Sequence, residues 1–432
     1  AKMVEIRTPI EVNDAIKHVM EFAKKGEKIY VPLEESHGYF LAEDLISDHP
    51  VPPFNRTRYD GFAVRAVDTE KASQENPVEL EVVAEIGAGS VFGKEVGDQE
   101  AVRIMTGAEI PPGCDAVVML EEVTEWKREG KTVIEITRKL DHLENITLKG
   151  EDTKKGEVLV KKGTYINPGI MAVLASFGYK KVPVTKKPRV GIISTGSELL
   201  PVDAPLEPGK IRDSNAYMLI GQIERAGATP VSLGQFADDF ELCYQQIVDA
   251  LENVDILLTT GGVSVGDYDY IPAILEKLNA NVLFNKIRMR PGSVTTVAEV
   301  DGKLLFGLSG NPSSCYVGFE IFARPVIRYY HTDKPFLQKI QVALGGEFAN
   351  SNPFHRFVRG KLHFEEGNVV ANPVGLDKPN IVTSLAEANV LILLPGGEKG
   401  YHQREKVTAI LLDEQSGSTW EDWLNDLEEC NL

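Results

Sequence analysis

Residues 188–330 alternate short apolar strands with amphipathic helices, and this alternation constrains the fold more than any other feature of the chain. Strands that are separated by helices pair in parallel and are covered by helices on both faces. The pattern therefore predicts a doubly wound α/β domain, with a β-hairpin formed by its last two strands. The predicted strands are 189–195, 229–236, 254–260, 282–287, 294–300 and 303–308, and the predicted helices are 214–227, 239–253, 271–278 and 312–330.

The regions that flank this domain carry short apolar runs between Gly and Pro turns, which is typical of β structure. After residue 332 the runs predict a small β-barrel or sandwich, and an amphipathic helix at 11–25, capped by Asn13 or Asp14, precedes the β-rich region. The acidic tail forms a short helix near 420–427 or is loosely held. We expect a discontinuous N-terminal domain (1–48 with 151–182), a β-rich domain (49–150), the α/β domain (183–331), a C-terminal β-barrel domain (332–412) and the acidic tail (413–432).

Composition excludes several classes of function. The net charge of −18 argues against nucleic-acid or anionic-membrane partners, and no apolar run approaches the length of a membrane span. The four cysteines show no CxxC spacing, and the eight histidines form no zinc-protease motif. Serine-hydrolase and Walker A motifs are also lacking. These features predict a soluble cytoplasmic protein with reduced thiols.

Three loops rich in Gly and Ser follow predicted strands at 194–199, 261–269 and 309–314. Such loops let backbone N–H groups approach oxyanions, and ligands of α/β sheets bind at the carboxyl ends of the strands. The alternative is that each loop is only a tight strand-to-helix turn. Asn311 is expected to cap the last helix. The candidate substrate-binding residues of the loops are Ser194, Thr195, Gly196, Gly261, Gly262, Ser264, Ser309, Gly310, Asn311 and Pro312.

The same loops carry the acids Glu198, Asp267 and Asp269. A carboxylate beside a phosphate repels it unless a divalent cation bridges the two, and Mg²⁺ binds one or two carboxylates together with substrate oxygens. The acids therefore favour a Mg²⁺–phosphate site, although solvated loop acids or Asx-turns are an alternative. Asp238 and Asp239 follow another strand, where either residue could instead cap the next helix.

Basic residues follow the next strand. Lys286, Arg288 and Arg290 alternate, so they share one face if the strand continues, and that face suits an anion such as phosphate or an oxometalate. A solvated strand face is the alternative. Further on, Arg356 and Arg359 are expected on opposite faces of a strand, so that at most one of them reaches a given pocket.

Two motifs lie in the β-rich region: 58-RYDGFAV-64, where Asp60 and Gly61 predict a turn, and 104-IMTGAEIPPGCDAVVMLE-121. Together with the loops, they resemble the molybdopterin molybdenumtransferase family, which includes the bacterial MoeA proteins and the gephyrin E domain. The resemblance extends over most of residues 1–330 and is carried by an ordered set of motifs. These are RYDGFAV, IMTGAEIPPGCDAVVMLEE, 150-GEDTKKG, 194-STGSEL, 261-GGVSVGDYDY, 288-RMRPGS and 307-GLSGNPSS.

The resemblance implies a homodimer of four-domain subunits with a MogA-like molybdopterin-binding α/β domain. It implies insertion of molybdate into adenylylated molybdopterin with Mg²⁺ and release of AMP, with other molybdenum cofactor biosynthesis proteins as candidate partners. By resemblance, Glu198 and Asp269 are associated with magnesium, and Lys286 and Arg290 lie near the molybdate site. Asp60 would reach the cleft from the other subunit. Residues that affect activity in the family match Asp60, Thr106, Asp152 and Asp238, and Arg359 is a further candidate for substrate binding.

The chain departs from the family pattern at several positions. The common KPGKP is 290-RPGSV-294 here, GLPGNP is 307-GLSGNP-312, and Thr147 replaces a frequent arginine. Arginine presents a planar fork and lysine a point charge, so the anion geometry, and the choice between molybdate and tungstate, can differ. Two alternatives to metal insertion are a domain that only binds or adenylylates molybdopterin and a gephyrin-like scaffold. The additional β domains argue against the first, and the lack of a long linker argues against the second.

Overall fold

The computed structural model describes residues 7–263, 270–375, 377–378, 380–413, 415 and 417–428. The chain divides into two compact units. The first comprises the described residues up to Glu43 and those from Lys161 onward, and the second spans Asp44–Val160. Among the described residues, the structure contains no helix that is long and apolar enough to cross a membrane.

The first unit contains the predicted α/β sheet. Its strands are β1 (Arg189–Ser194), β2 (Thr229–Gln235), β3 (Ile256–Thr260), β4 (Asn281–Phe284), β5 (Thr296–Val300) and β6 (Lys303–Leu308). They lie in the order β2-β1-β3-β6-β5-β4. The pairs β2–β1, β1–β3 and β3–β6 are parallel, whereas β5 is antiparallel to both β6 and β4. The strands that precede the three Gly/Ser loops, β1, β3 and β6, are therefore neighbours, and their loops emerge at one edge.

Helices cover both faces of this sheet. Since successive side chains of a strand point to opposite faces, alternate residues of the central strands are buried on opposite sides. Ile192, Leu258 and Phe306 pack in one core, and Ile193, Leu257 and Leu305 pack in the other. The helices are α1 (Asn215–Ala226), α2 (Phe240–Asn253), α3 (Ile271–Lys277) and a long helix with three segments, Pro312–Gly318, the π-helical Phe319–Ala323 and Arg324–Tyr329. Helix α1 ends at Gly227, which adopts the left-handed φ of 103° that favours glycine at this position.

The N-terminal helix, Val12–Met20, packs its buried face against the same core as α1 and the long helix. Its N-cap residue is Glu11, without a side-chain cap, so the prediction that Asn13 or Asp14 caps it is wrong. Both residues lie inside the helix. The antiparallel strands Lys28–Pro32 and Lys181–Thr185 and the helix Pro168–Ser176 complete this part of the unit.

The C-terminal region is a closed five-stranded barrel, which confirms the barrel prediction. Its strands, in order around the barrel, are His355–Glu365, Asn368–Pro373, Lys339–Leu344, Lys406–Leu411 and Val390–Leu394. A short strand from the α/β region, Met289–Arg290, pairs in parallel with the first of these, with Met289 opposite His355 and Arg290 opposite Arg356.

The C-terminal tail is docked. Gly417–Ser418 pairs antiparallel with Phe336–Leu337 and leads into the helix Trp420–Glu428. Trp423 is 2% exposed and stacks on Phe336 with ring centroids 5.6 Å apart. Of the two alternatives for the tail, the helix is therefore confirmed.

The second unit is built on a mixed six-stranded sheet with small two-stranded ladders beside it. The sheet order is Ala116–Met119, Gly61–Val64, Glu100–Ile104, Val78–Ile86, Lys131–Ile136 and Val123–Arg128, and the ladders pair Leu45–Ile46 with Val158–Val160 and Arg56–Thr57 with Ile146–Thr147. Residues of these strands form two cores, one with Phe62, Leu80 and Val118 and the other with Ala63, Val102 and Val117.

Candidate functional site

The three Gly/Ser loops are in direct contact at the carboxyl edge of the sheet. The N–H of Thr195 donates to the carbonyl oxygen of Thr260 at 2.9 Å, and the N–H of Gly261 donates to that of Leu308 at 2.9 Å. A Cβ on Gly261 would lie 2.6 Å from the carbonyl oxygen of Thr195, and one on Gly310 would lie 3.4 Å from the Cα of Gly261. Glycine at 261, where φ is +86°, is therefore required for the loops to approach each other.

Asn215, at the start of α1, holds two of these loops together. Its Nδ2 donates to Thr260 Oγ1 at 2.8 Å and to the carbonyl oxygen of Gly310 at 3.0 Å. The side chain is buried, and its Oδ1 receives no hydrogen bond from the described residues. The sequence pattern does not reveal this role, because 213-DSN-215 before a helix resembles an ordinary capping sequence. The unused Oδ1 leaves a buried acceptor beside the loops.

Glu198 is the described acid of the expected metal site. It is exposed and forms no hydrogen bond or ion pair with its side chain among the described residues. Its carboxylate lies against Gly196, where a Cβ would come within 2.5 Å of Oε2. A free carboxylate on a glycine loop is a suitable hard oxygen donor for Mg²⁺.

The other predicted residues of this loop region, Ser264, Asp267 and Asp269, lie outside the described residues. The part of the chain that is described contains no group of three or more His, Cys, Asp or Glu side chains arranged to hold a metal. The fit of Mg²⁺ therefore rests on the position and chemistry of Glu198.

The third loop leads into the long helix through Asn311 and Pro312. Asn311 is the N-cap residue of this helix, as predicted, but its side chain makes no capping hydrogen bond. Its backbone N–H instead donates to Ser309 Oγ at 3.2 Å, and Pro312 has no N–H to contribute. Because no described side chain accepts from it, the first turn keeps its remaining N–H groups for another acceptor, as an anion site requires.

The strand does not continue without interruption through Lys286, Arg288 and Arg290, but Arg288 and Arg290 lie over the same ring, that of Phe354, at 5.1 and 6.0 Å from its centroid, as a shared face predicts. Strand β4 ends at Phe284, and the following segment pairs with Ile10, whose N–H donates to the carbonyl oxygen of Lys286 at 3.1 Å. Arg288 forms an ion pair with Glu11 at 2.9 Å. Lys286 and Arg290 have no carboxylate partner among the described residues, and two uncompensated cations remain available to an anion.

Arg356 and Arg359 converge on one carboxylate, contrary to the expectation that at most one reaches a given pocket. Asp377 lies 2.6 Å from Arg356 and 3.3 Å from Arg359. The long guanidinium side chains reach the same loop from different positions of the strand. Arg359 is 1% exposed, and this burial lowers its pKa while Asp377 opposes the shift. Ser313 Oγ donates to the carbonyl oxygen of Ile381 at 2.6 Å and thereby connects the third loop to this barrel loop.

In the second unit, Asp60 and Thr106 form a pair. The N–H and the hydroxyl of Thr106 donate to Asp60 Oδ1 at 2.7 and 2.8 Å, and these bonds lower the pKa of the Asp60 carboxyl group. Gly61 is not in a turn but begins a strand, where a Cβ would lie 2.0 Å from the carbonyl oxygen of Val118. The prediction of a turn is therefore wrong at Gly61, which is needed for close pairing of strands.

The loop that carries Asp152 lies beside the same motif. Arg58 forms an ion pair with Glu151 at 3.0 Å, and Asp152 itself is exposed. In the first unit, the structure shows which of Asp238 and Asp239 caps the following helix. Asp239 caps α2 by accepting from the N–H of Leu242 at 3.0 Å, and Asp238 stays exposed and outside the cap.

Three family models match the chain. They are the MoeA N-terminal region (domain I and II) over residues 10–178, a probable molybdopterin binding domain over residues 191–329, and the MoeA C-terminal region (domain IV) over residues 341–412.

Full-length relatives are also similar. A molybdopterin molybdenumtransferase of Bacillus subtilis (strain 168) is 54% identical over 419 residues, which covers 97% of each chain. Another, of Staphylococcus aureus (strain COL), is 47% identical over 412 residues and covers 95% of this chain and 97% of that one. The crystal structure of a molybdopterin biosynthesis MoeA protein from Pyrococcus horikoshii OT3 is similar with a TM-score of 0.79 at 33% identity, covering 94% of this chain and 100% of that chain.

Proposed function

Because the chain belongs to the molybdopterin molybdenumtransferase family, we propose that its α/β site inserts molybdate into adenylylated molybdopterin in a Mg²⁺-dependent reaction that releases AMP. The chain is a transferase of molybdenum cofactor biosynthesis by its family. The observation that carries the finer proposal is the contact of three Gly/Ser loops at one sheet edge, with a free carboxylate at Glu198.

In this proposal, N–H groups and cationic side chains bind the anionic parts of the substrates, and carboxylates bind the metal. Backbone N–H groups of the loops and of the first turn after Pro312 bind the phosphate oxygens. Lys286 and Arg290, which lack carboxylate partners among the described residues, hold the tetrahedral oxyanion. Glu198 would hold Mg²⁺, with Asp269 as its expected partner from outside the described residues. When bound, Mg²⁺ supplies positive charge that stabilises the departing phosphate.

The proposal includes a homodimer in the cytoplasm. The family resemblance supports the dimer, and the free thiols of Cys114, Cys243 and Cys315 suit a reducing compartment. Light scattering of the purified protein measures the mass and tests the dimer. A mass of about 48 kDa, that of one 47.6 kDa chain, would contradict it.

The decisive assay measures AMP release from adenylylated molybdopterin with and without molybdate, with tungstate as a competitor. AMP release should depend on both molybdate and Mg²⁺. Glu198→Gln, which is nearly isosteric, should lower the rate by at least about a hundredfold, since one removed charge interaction in a catalytic site commonly has that effect. Glu207→Gln is the matched control, because Glu207 is exposed and its carboxylate pairs, within the described part of the chain, only with Lys210, at 3.5 Å.

If AMP release does not respond to molybdate, the chain only binds or carries the adenylylated compound, and the insertion step is excluded. If Glu198→Gln retains full activity, Glu198 does not hold the metal. Asp269→Asn extends the same test to the second expected carboxylate, and it should also abolish Mg²⁺-dependent AMP release.

A further inference from the structure

A cavity of about 470 Å³ opens next to the Gly/Ser loops, between the sheet and α1. Ser194 of β1 and Ser232 of β2 line it from the sheet, Tyr217 lines it from α1, and Val202 and Asp203 line it from the loop that follows Glu198. Its volume is within the range of roughly 300–1,000 Å³ that is usual for small-molecule sites.

Among the described residues of the Gly/Ser loops, Ser194 lines the cavity and connects it to the candidate active site along the chain. Ser194 directly precedes Thr195 of the first loop. The segment Leu199–Leu200 pairs in parallel with Ile211–Arg212, and the N–H of Ile211 donates to the carbonyl oxygen of Glu198 at 2.8 Å. The N–H of Asp213 then donates to the carbonyl oxygen of Leu200 at 3.0 Å. One short ladder therefore carries both Glu198 and Asp213, and a substrate with phosphates at the loops can extend a ring into the cavity.

The lining selects for an uncharged ring with N–H donors. None of the described lining residues is Lys, Arg or His, which disfavours an anionic group. Asp213 is 9% exposed and lines the cavity. Its Oδ1 accepts from the N–H of Ala216 at 3.2 Å, and no described residue donates to Oδ2. Tyr217, 57% exposed, offers an aromatic face at the opening.

Of the two rings in the substrate, the pterin fits this lining better. A pterin presents an amino group next to a ring N–H, and two adjacent donors match the two oxygens of a carboxylate. Adenine has a single amino donor beside a ring nitrogen that is an acceptor, and this nitrogen would face a carboxylate oxygen. We propose that this cavity binds the pterin ring of the substrate, with Asp213 as its specificity-determining residue and Tyr217 stacked on the ring. The proposal rests on the proposed function.

The test compares equilibrium binding of two probes, 6-hydroxymethylpterin followed by its fluorescence and AMP followed by calorimetry. Asp213→Asn retains an acceptor for the N–H of Ala216, so the bond to the first turn of α1 is kept while the other oxygen is replaced by an amide donor. Asp213→Asn should weaken pterin binding by at least about tenfold, a loss of about 1.4 kcal/mol, and leave AMP binding unchanged. Tyr217→Leu should weaken pterin binding in the same direction. Asp249→Asn is the matched control, because Asp249 is exposed on α2 and its carboxylate accepts, among the described residues, only from Gln245 Nε2, at 2.8 Å.

In the AMP-release assay, Asp213→Asn should raise KM for adenylylated molybdopterin and leave KM for molybdate unchanged. The proposal is overturned if AMP binding weakens and pterin binding does not, if neither changes, or if the unaltered protein binds no pterin at millimolar concentration. It is also overturned if Tyr217→Leu changes the mass in light scattering and leaves pterin binding intact, because the cavity would then be a protein contact. Failure of the proposed function is distinguishable, since it appears as AMP release by the unaltered protein that does not respond to molybdate.

Discussion

At the scale of single residues, Asn215 is predicted to affect both stability and activity, because its side chain bridges two loops. Asn215→Ala leaves Thr260 Oγ1 and the carbonyl oxygen of Gly310 without their shared donor inside a buried site. An unsatisfied buried polar group costs about 1–3 kcal/mol, so we expect a loss of stability of that size and a larger loss of AMP release. Urea unfolding measures the first effect and the AMP-release assay the second. Full activity in a folded Asn215→Ala variant would show that the loops do not depend on this bridge.

The cations that follow β4 can be separated by their partners. Lys286→Ala and Arg290→Ala should each raise KM for molybdate by about tenfold, the effect of losing about 1.4 kcal/mol of anion binding. Arg288→Ala is the internal control, because Arg288 already pairs with Glu11. Molybdate titration of the AMP-release rate provides all three values. An equal rise in KM for Arg288→Ala would indicate a general loss of positive charge and not a defined oxyanion site.

The sequence shows which residues form the site more reliably than it shows which residues they contact. The Gly and Ser residues of the loops can be identified because glycine just after a buried strand indicates a sharp turn or a close backbone approach. Asn215 cannot, since its role depends on Thr260 and Gly310, which are 45 and 95 positions away. Alternation groups Arg288 with Arg290, and both lie over the ring of Phe354, but alternation does not reveal that Glu11, distant in sequence, pairs with Arg288. Partners that are remote along the chain leave no local pattern.

At the scale of elements, the packing of the long helix predicts a pH dependence of stability. His331, just beyond that helix, donates from Nε2 to the carbonyl oxygen of Gly227 at 2.6 Å and stacks on Phe40. Burial lowers the pKa of His331 from 6.5 to about 4; the bond to Gly227 opposes this shift, and the charges of Arg328 and Lys187 add to it. In the unfolded chain the imidazole titrates near its ordinary pKa, so the stabilisation is complete above about pH 6.5 and is lost progressively as the pH falls toward 4.

His331→Gln removes this titration and retains a donor. Between pH 7 and 5 the free energy of unfolding of the unaltered protein should fall by about 2 kcal/mol more than that of His331→Gln. Urea unfolding at pH 7, 6 and 5 measures the difference, and His402→Gln, on the surface, is the control. Parallel pH curves for the two proteins would mean that the buried imidazole does not set the slope.

Whether a segment forms a helix or a strand can be predicted from the sequence where its apolar pattern is long. The α/β sheet has a core on each face, so the apolar pattern of its strands and of the helices that cover them repeats through the whole region, and each predicted element is present. The barrel strand Asn368–Pro373 is not predicted, because 368-NVVANP-373 has only two β-branched residues between Asn and Pro. It pairs on both sides, with His355–Glu365 and Lys339–Leu344. These pairings stabilise the strand although its sequence has a low β propensity.

At the scale of the whole molecule, the tail contributes to the stability of the first unit. Besides the packing of Trp423, Asp413 pairs with Arg225 at 3.1 Å, and Lys339 Nζ donates to the carbonyl oxygen of Trp423 at 3.0 Å. Trp423→Ala should lower the free energy of unfolding by about 3–5 kcal/mol, the usual loss for a large buried aromatic residue. Glu421→Ala, on the exposed side of the same helix, should have little effect. Equal unfolding curves for the two variants would show that the tail is not a stabilising part of the fold.

The short strand Met289–Arg290 has a consequence for the evolution and engineering of multidomain enzymes. Its chain segment belongs to the α/β region, but its backbone partner is the barrel strand His355–Glu365. The α/β domain and the barrel therefore cannot be exchanged independently. Replacing the barrel by that of a distant relative also replaces the strand that pairs with Arg290. A chimaera joined at the apparent boundary near residue 332 would take Arg290 from one parent and the barrel strand that pairs with it from the other. Recombination that preserves the anion site needs crossover points that transfer both strands together.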